Sequence, residues 1–141
     1  MKRTAILLLT LAACGGIPMK PDGCPAEFVA VDRGPYEWRV MSARGTVVAR
    51  REFRKQRDET LDFVATVTRR EFEEARGYAF VKEEQLVNGT AMLFSAGDAA
   101  SYLVAVFVTD AAIITVEAGG PKEAFETDEA AIRAWIAKMK P

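Results

Sequence analysis

Five glutamates are the side chains of this sequence most suited to acid–base chemistry. They are Glu71, Glu73, Glu74, Glu83 and Glu84. Two carboxyls that converge on one cleft can act as general acid and general base, or as acid and nucleophile. The first three, however, lie beside Arg69, Arg70 and Arg76, at the i, i+3 and i, i+4 spacings of helical ion pairs. We therefore interpret them as a solvated helix face and place a carboxylate-based enzyme third among the possible functions.

Other catalytic chemistry lacks its usual residues. The chain contains no histidine, which excludes Ser-His-Asp and Cys-His centres and removes the commonest metal ligand. The two cysteines cannot form a thiolate zinc site. Gly119-Gly120 precedes a proline instead of the Lys-Ser/Thr of a phosphate-binding loop. We expect a protein that is not an enzyme and that holds neither a metal nor a cofactor.

Basic residues are concentrated between positions 50 and 57. If this segment is a strand, Arg50 and Arg54 share one face and Arg51 points to the other. One interpretation is protection of an edge strand, where charges discourage sheet-to-sheet aggregation. The other is a docking patch of Arg50, Arg51 and Arg54 for an acidic partner or for lipid headgroups.

The apolar pattern around these residues predicts strands first and then a helix. Alternation with period two predicts strands at Phe28–Asp32, Tyr36–Met41 and Val47–Phe53, the last two joined by a turn at Arg44-Gly45. From Asp58 the apolar residues recur every three or four positions. This spacing predicts a helix that Asp58 caps and that Gly77 ends in a left-handed conformation.

Four further strands and a second helix complete the prediction. The strands are Tyr78–Val87, Thr90–Phe94, Tyr102–Val108 and Ile113–Glu117, the last ended by Gly119-Gly120-Pro121. A hairpin at Asn88-Gly89 makes them an antiparallel meander. The closing helix has Thr127 as its cap and Asp128 in its first turn, and it buries Ile132 and Trp135.

The segment Tyr102–Val108 is apolar on both faces, so we expect covering layers on both sides of the sheet. The predicted fold class is α+β: an antiparallel sheet of about six or seven strands with two helices, in a three-layer sandwich. The order of elements, with Trp38 in an early strand and Trp135 in the closing helix, resembles the PsbP/Mog1-like superfamily. That resemblance implies a binding or assembly role, since its members mostly lack catalytic sites, and it implies no functional residue here.

The N-terminal residues predict where the protein resides. Two basic residues, a short apolar run at Ala5–Leu11 and two alanines have the order of a secretory signal peptide. The run is shorter than the roughly 20 residues that cross a bilayer. Leu11-Ala12-Ala13-Cys14 resembles the lipobox of bacterial lipoproteins. The resemblance implies cleavage before Cys14, a diacylglyceryl group on its thiol and an acylated amino terminus.

Three acyl chains give an effectively permanent anchor. Gly15, in place of the aspartate that retains enteric lipoproteins at the inner membrane, favours the outer membrane facing the periplasm. Lipidation leaves Cys24 unpartnered, whereas without it Cys14 and Cys24 could form a disulfide. We therefore divide the chain into a signal peptide (1–13), a flexible tether rich in proline and glycine (14–25) and one α+β domain (26–141).

The charge of the mature chain limits its partners. Without the signal peptide, 17 basic residues face 20 acidic ones, a net charge of −3, which excludes a nucleic-acid partner. We expect an envelope protein that binds the membrane through its lipid and acts as an interaction or assembly module for a protein partner. The alternative is a periplasmic ligand-binding or sensor domain, which needs a large cavity, such as one lined by Tyr102, Phe107 and Trp135.

Overall fold

Seven strands and two helices make up the part of the chain that the structure describes, residues 17–141 of a computed structural model. In chain order they are β1 (Phe28–Ala30), β2 (Trp38–Ser42), β3 (Val47–Arg54), α1 (Leu61–Arg70) followed by a π-helical turn (Glu71–Ala75), β4 (Ala79–Leu86), β5 (Gly89–Ala96), β6 (Ala100–Val108), β7 (Ala112–Pro121) and α2 (Lys122–Lys138). The α+β class is confirmed.

The strands form one sheet in the order β1-β2-β3-β7-β6-β5-β4, and every neighbouring pair is antiparallel. The predicted meander is β4 to β7, and β7 lies at the centre between β6 and β3. Because β3 is paired on both sides, its arginines do not protect a sheet edge, and that interpretation is wrong. The edges are the short β1 and the charged β4.

Each helix covers a different face of this sheet. Along β6, Leu103 and Phe107 belong to the core beneath α2, while Val104 and Val106 belong to the core beneath α1. This alternation follows from the period of two in a strand. The three-layer sandwich predicted from this segment is therefore confirmed. Each large apolar side chain that is fully buried in either core contributes about 1.5–3 kcal/mol to folding.

The first helix begins later than predicted. Its N-cap is Thr60, whose Oγ1 accepts a hydrogen bond from the Phe63 N–H (3.3 Å), so the prediction that Asp58 caps it is wrong. Thr60 directly precedes Leu61, the first residue of the apolar stripe, and it therefore lies where the orphan N–H groups need an acceptor. At the other end, Gly77 has a φ of +70°, as predicted.

The second helix begins earlier than predicted. It starts at Lys122 directly after Pro121, so Thr127 does not cap it and Asp128 is not in its first turn. Phe125 and Asp128 continue the buried stripe of Ile132 backwards at intervals of three and four residues. The core contact of Phe125 outweighs the local capping signal, because burial stabilises a helix more than a cap does.

The bounds of two elements predicted from glycines are corrected. β7 does not end before Gly119 but continues through Gly120 to Pro121, since its pairing with β6 extends that far. The hairpin between β4 and β5 exists, but its two-residue loop is Val87-Asn88, and Gly89 is already a strand residue paired with Leu86.

The segment before β1 is held to the core beneath α2 through Asp22 and Cys24. The Trp135 indole donates a hydrogen bond to the Asp22 carbonyl (3.2 Å), and the half-buried Cys24 packs against the core beneath α2. Ile17 and Met19, by contrast, are highly exposed. Cys14 and the predicted signal peptide lie outside the described residues. In the described part of the chain, no helix has both the length and the apolar character needed to span a bilayer.

Candidate functional site: the open sheet face

The two helices do not cover the sheet equally. On its own side, α1 packs on β5 and β6. The same side of β1, β2, β3 and β7 carries exposed apolar side chains, including Val29 (59% exposed), Phe53 (48%) and Met41 (38%). We call this α1-side surface of the four strands the open face.

The strand register arranges the side chains of the open face in rows that run across the strands. Val29, Met41, Val47 and Gly119 form the first row, which continues to Tyr102 on β6; Arg39, Ala49 and Glu117 form the second; Arg51 and Thr115 form the third; Phe53 and Ile113 form the fourth. Two rows that contain charged side chains are thus flanked by two apolar rows.

Tyr36, which precedes β2, lies above the charged rows. The Arg51 guanidinium carbon is 4.4 Å from the centre of the Tyr36 ring, within the range of a cation–π contact. Tyr36 lines two surface grooves, one of about 840 Å³ with Arg51 and Phe53, and one of about 480 Å³ with Arg39 and Tyr102. The tyrosine therefore stands where the two grooves meet.

Arg76, which directly follows the π-helical turn, lies at the edge of the open face next to α1. Its Nη1 lies 3.6 Å from a carboxylate oxygen of Glu117, and its Nη2 lies 3.0 Å from one of Glu71. The guanidinium also lies 4.0 Å from the centre of the Phe72 ring. Burial lowers the pKa of Arg76, but Glu71 and Glu117 outweigh this effect, and the pKa is raised overall. The one acid of the open face rows is therefore already paired.

Tyr102 lies at the same edge of the open face, beside Gly119. A Cβ atom at position 119 would lie 2.7 Å from the Tyr102 ring, so Gly119 allows the ring to lie flat on β7. Partial burial, together with the neighbouring Tyr78, raises the pKa of the Tyr102 hydroxyl. Tyr102 is thus a neutral aromatic platform at any physiological pH.

The three arginines of the predicted docking patch are not brought together. Arg50 lies on the α2 side of β3, where it forms ion pairs with Glu37 and Glu52. Arg54 is exposed on that same side, and Arg51 alone points to the open face. The alternation of Arg50 and Arg51 was predicted, whereas Arg39 and Tyr36 were not. A two-residue loop at Arg44-Gly45 would have placed Arg39 opposite Arg50. The observed loop has three residues, 43–45, and it places Arg39 opposite Ala49, on the same face as Arg51.

A second polar cluster is buried between α2 and the β2–β3 hairpin. The Asp128 carboxylate is 1% exposed and accepts hydrogen bonds from the Ser42 hydroxyl (2.7 Å) and from Arg44 Nε (2.9 Å) and Nη2. Ser42 Oγ in turn accepts a hydrogen bond from the Thr46 N–H (3.1 Å). Solvent does not reach the carboxylate, so we interpret this cluster as a structural link between the two elements.

The glutamates considered for catalysis have partners of their own. Glu73 pairs with Arg69 (3.1 Å) and Glu74 with Arg70 (3.2 Å), as the helical spacing predicts. Glu83 shares a shallow surface groove with Glu73 but accepts a hydrogen bond from Thr90 (3.0 Å). Glu84, the fifth of these acids, forms an ion pair with Arg133 (2.8 Å). Within residues 17–141, no cluster of three or more His, Cys, Asp or Glu side chains could hold a metal ion.

The cavity considered for a small ligand does not form. Phe107 and Trp135 belong to the core beneath α2, whereas Tyr102 lies on the opposite face of the sheet. No single cavity can be lined by all three, because strand residues of opposite parity project from opposite faces.

No family model matches the chain, and no curated protein matches it.

Proposed function

We propose that this protein is a lipid-anchored interaction module of the bacterial cell envelope, and that it binds a protein partner through the open face without catalysing a reaction. The lipid on Cys14 fixes its location, and the sheet provides the binding surface. We place it at the outer membrane, facing the periplasm.

The observation that carries this proposal is the incomplete cover of the sheet. Four strands at about 4.8 Å spacing leave a surface roughly 15 Å across, and the eight residues of β3 give it a length of about 25 Å. One α-helix with its side chains is about 10–12 Å wide, so one helical segment fits beside α1. Tyrosine and arginine are the side chains that most often dominate protein interfaces, and the open face presents both between apolar rows.

The short link between the lipid anchor and the domain keeps the open face near the bilayer. The chain is held to the domain from Asp22 onward, so about eight residues, Cys14 to Pro21, separate the lipid from the domain. Fully extended, they reach at most about 28 Å. The domain therefore stays close to the bilayer, and we expect its partner to be a protein of the same membrane or of the adjoining periplasm.

Photo-crosslinking in cells of the native host tests the binding surface. A p-benzoylphenylalanine residue is introduced into the full chain at Met41 or Val47 on the open face. The matched control positions are Phe63 on the outer surface of α1 and Val81 on β4, both exposed and apolar. We expect one discrete protein adduct from both open-face positions and none from the control positions.

The pattern of adducts decides the outcome. An adduct that forms equally from all four positions, or from the control positions alone, would contradict binding through the open face. Mass spectrometry of the adduct identifies both the partner and its contacting segment. The criterion is how the yield of the protein adduct depends on the position of the crosslinker.

A small anionic ligand is the second candidate. The groove of about 480 Å³ beside Arg39 has the size of a typical small-molecule site. In that case the open-face crosslinker yields no protein adduct, and the purified chain retains a bound compound that native mass spectrometry detects.

A further inference from the structure

We propose that Arg39 and Arg51 receive an acidic side chain of the partner, so that the segment bound to the open face carries a carboxylate between two apolar residues. This inference rests on the proposed function and specifies the chemistry of the partner. The spacing of Arg50, Arg51 and Arg54 suggested a docking role for Arg51, but only the strand register pairs it with Arg39.

The first argument is the state of the two guanidinium groups. Among the described residues, Arg39 and Arg51 have no carboxylate within 4.0 Å, whereas Arg50 on the same strand as Arg51 has two. Glu117, which shares a row with Arg39, is engaged by Arg76. The centre of the open face is therefore a surface of positive charge on a chain whose net charge is −1.

The second argument is the orientation of Arg51. Its side chain is half-buried beneath the Tyr36 ring, and its Nε is buried without an acceptor among the described residues. A guanidinium held against an aromatic ring has lost much of its freedom before a ligand binds, which favours recognition of a carboxylate by a planar fork of donors. Arg39 lies opposite Ala49, two residues before Arg51 along β3. Side chains in this diagonal relation are about 7–8 Å apart, close enough for one carboxylate to contact both.

The third argument selects a protein segment over a lipid surface. Anionic lipids are bound by clusters of four or more exposed Lys or Arg side chains. Here two arginines lie between apolar rows, with Val29, Met41 and Val47 on one side and Phe53 on the other. A row-to-row step of two residues is about 6.8 Å, so the apolar rows, Val47 to Phe53, are about 20 Å apart. About 13 residues of α-helix cover this length, with apolar residues near its two ends and an acidic residue at its middle.

The test compares two charge-matched double variants of the full chain in the native host, each with the crosslinker at Met41. Arg39→Gln/Arg51→Gln removes the two arginines of the open face. Arg57→Gln/Arg70→Gln removes two exposed arginines elsewhere and changes the net charge equally. We expect the yield of the partner adduct to fall at least fivefold in the first variant and to stay within twofold of wild type in the second. Arg39→Gln alone, which leaves the Tyr36–Arg51 contact intact, should lower the yield at least twofold.

Each outcome separates this inference from the proposed function. An unchanged yield in both double variants, or a crosslinked peptide without Asp or Glu, overturns the inference while the interaction module stands. An adduct with the mass of a phospholipid, or of two copies of this chain, overturns it in favour of a lipid surface or of self-association. No adduct from any open-face position in the wild type overturns the proposed function itself. The thermal unfolding of each purified variant is measured, and if Arg51→Gln prevents folding, the Arg39→Gln result decides.

Discussion

At the scale of single residues, Asp128 shows why a carboxylate can be buried in a helix. It occupies a position of the core stripe of α2, yet it is surrounded by donors from the β2–β3 hairpin: the Ser42 hydroxyl and the Arg44 guanidinium. A buried charge is tolerated only when it is paired and hydrogen-bonded. The hydrogen bonds of Asp128 therefore link α2 to the β2–β3 hairpin.

Replacing Asp128 tests this link. We expect Asp128→Ala to lower the free energy of unfolding by about 2–3 kcal/mol, because the buried Ser42 hydroxyl loses its acceptor. Glu126→Ala, an exposed acid on the same helix, should change it by no more than about 0.5 kcal/mol. Urea unfolding at pH 7 measures both. Equal effects of the two substitutions would show that the buried hydrogen bonds contribute nothing specific.

The stabilities of the wild type and of Asp128→Ala should depend differently on pH. Burial alone raises the pKa of the Asp128 carboxyl, but the hydrogen bonds from Arg44 and Ser42 outweigh burial and lower the pKa below its ordinary value. A carboxyl with a lowered folded-state pKa stabilises the protein above about pH 4, and this stability is lost as the pH falls through the folded-state pKa. The difference between wild type and Asp128→Ala should therefore narrow at pH 3, and a constant difference would contradict the assignment.

At the scale of elements, the β4–β5 hairpin shows how a correct prediction can rest on the wrong reason. Asn-Gly is favoured in hairpin loops because both residues can adopt a positive φ. Here neither the loop residue Asn88 nor Gly89 has a positive φ. Gly89 begins β5, where a Cβ atom would lie 2.4 Å from the Val106 carbonyl oxygen. The glycine is needed for a close approach to β6, which no local turn rule contains.

Substitutions of Gly89 and of Asn88 distinguish a close approach to β6 from a loop with positive φ. We expect Gly89→Ala to lower the free energy of unfolding by about 2 kcal/mol, because the backbone of β6 cannot move away without breaking its ladder. Asn88→Ala should change it by less than about 0.5 kcal/mol, since its backbone is already in a region that alanine adopts. Thermal unfolding monitored by circular dichroism measures both. A cost of about 1 kcal/mol or more for Asn88→Ala would instead support a loop with positive φ.

At the scale of the whole molecule, we expect the proposed anchor and the sheet to have separate roles. Residues 15–21 link the proposed lipid on Cys14 to a domain that contains both of its cores, so anchoring and folding should be independent. In the proposed function, the open face, rather than the anchor, is the surface on which the partner is recognised.

Substitution of each cysteine by serine tests whether anchoring is independent of folding. We expect the mature wild-type chain to begin at Cys14 with an acylated thiol, and Cys14→Ser to leave the membrane fraction, because it loses the acyl chains that hold it there. Cys24→Ser keeps the anchor and should stay in the membrane fraction. Fractionation of cells and mass spectrometry of the N-terminal peptide measure both. A chain that begins at Met1, or equal membrane binding of both variants, would contradict the lipid anchor.

The sequence by itself determined the features that depend on the pattern of neighbouring residues. The continuous apolar run Tyr102–Val108 predicted a strand covered on both faces. Helical spacing predicted the stripe of α1 and its ion pairs, and the order of elements predicted the α+β sandwich. These depend on the repeat of the backbone, which neighbouring residues alone set.

The tertiary structure alone decided which residues meet. It placed Arg51 and Arg39 on one face with Tyr36, separated Arg50 from them, brought Asp128 to the β2–β3 hairpin and left four strands uncovered by α1. Each of these depends on strand register and on the packing of elements far apart in the chain, and a shift of one residue in register exchanges the two faces of a strand. Contacts of that kind carry no signal at the spacing of neighbouring residues.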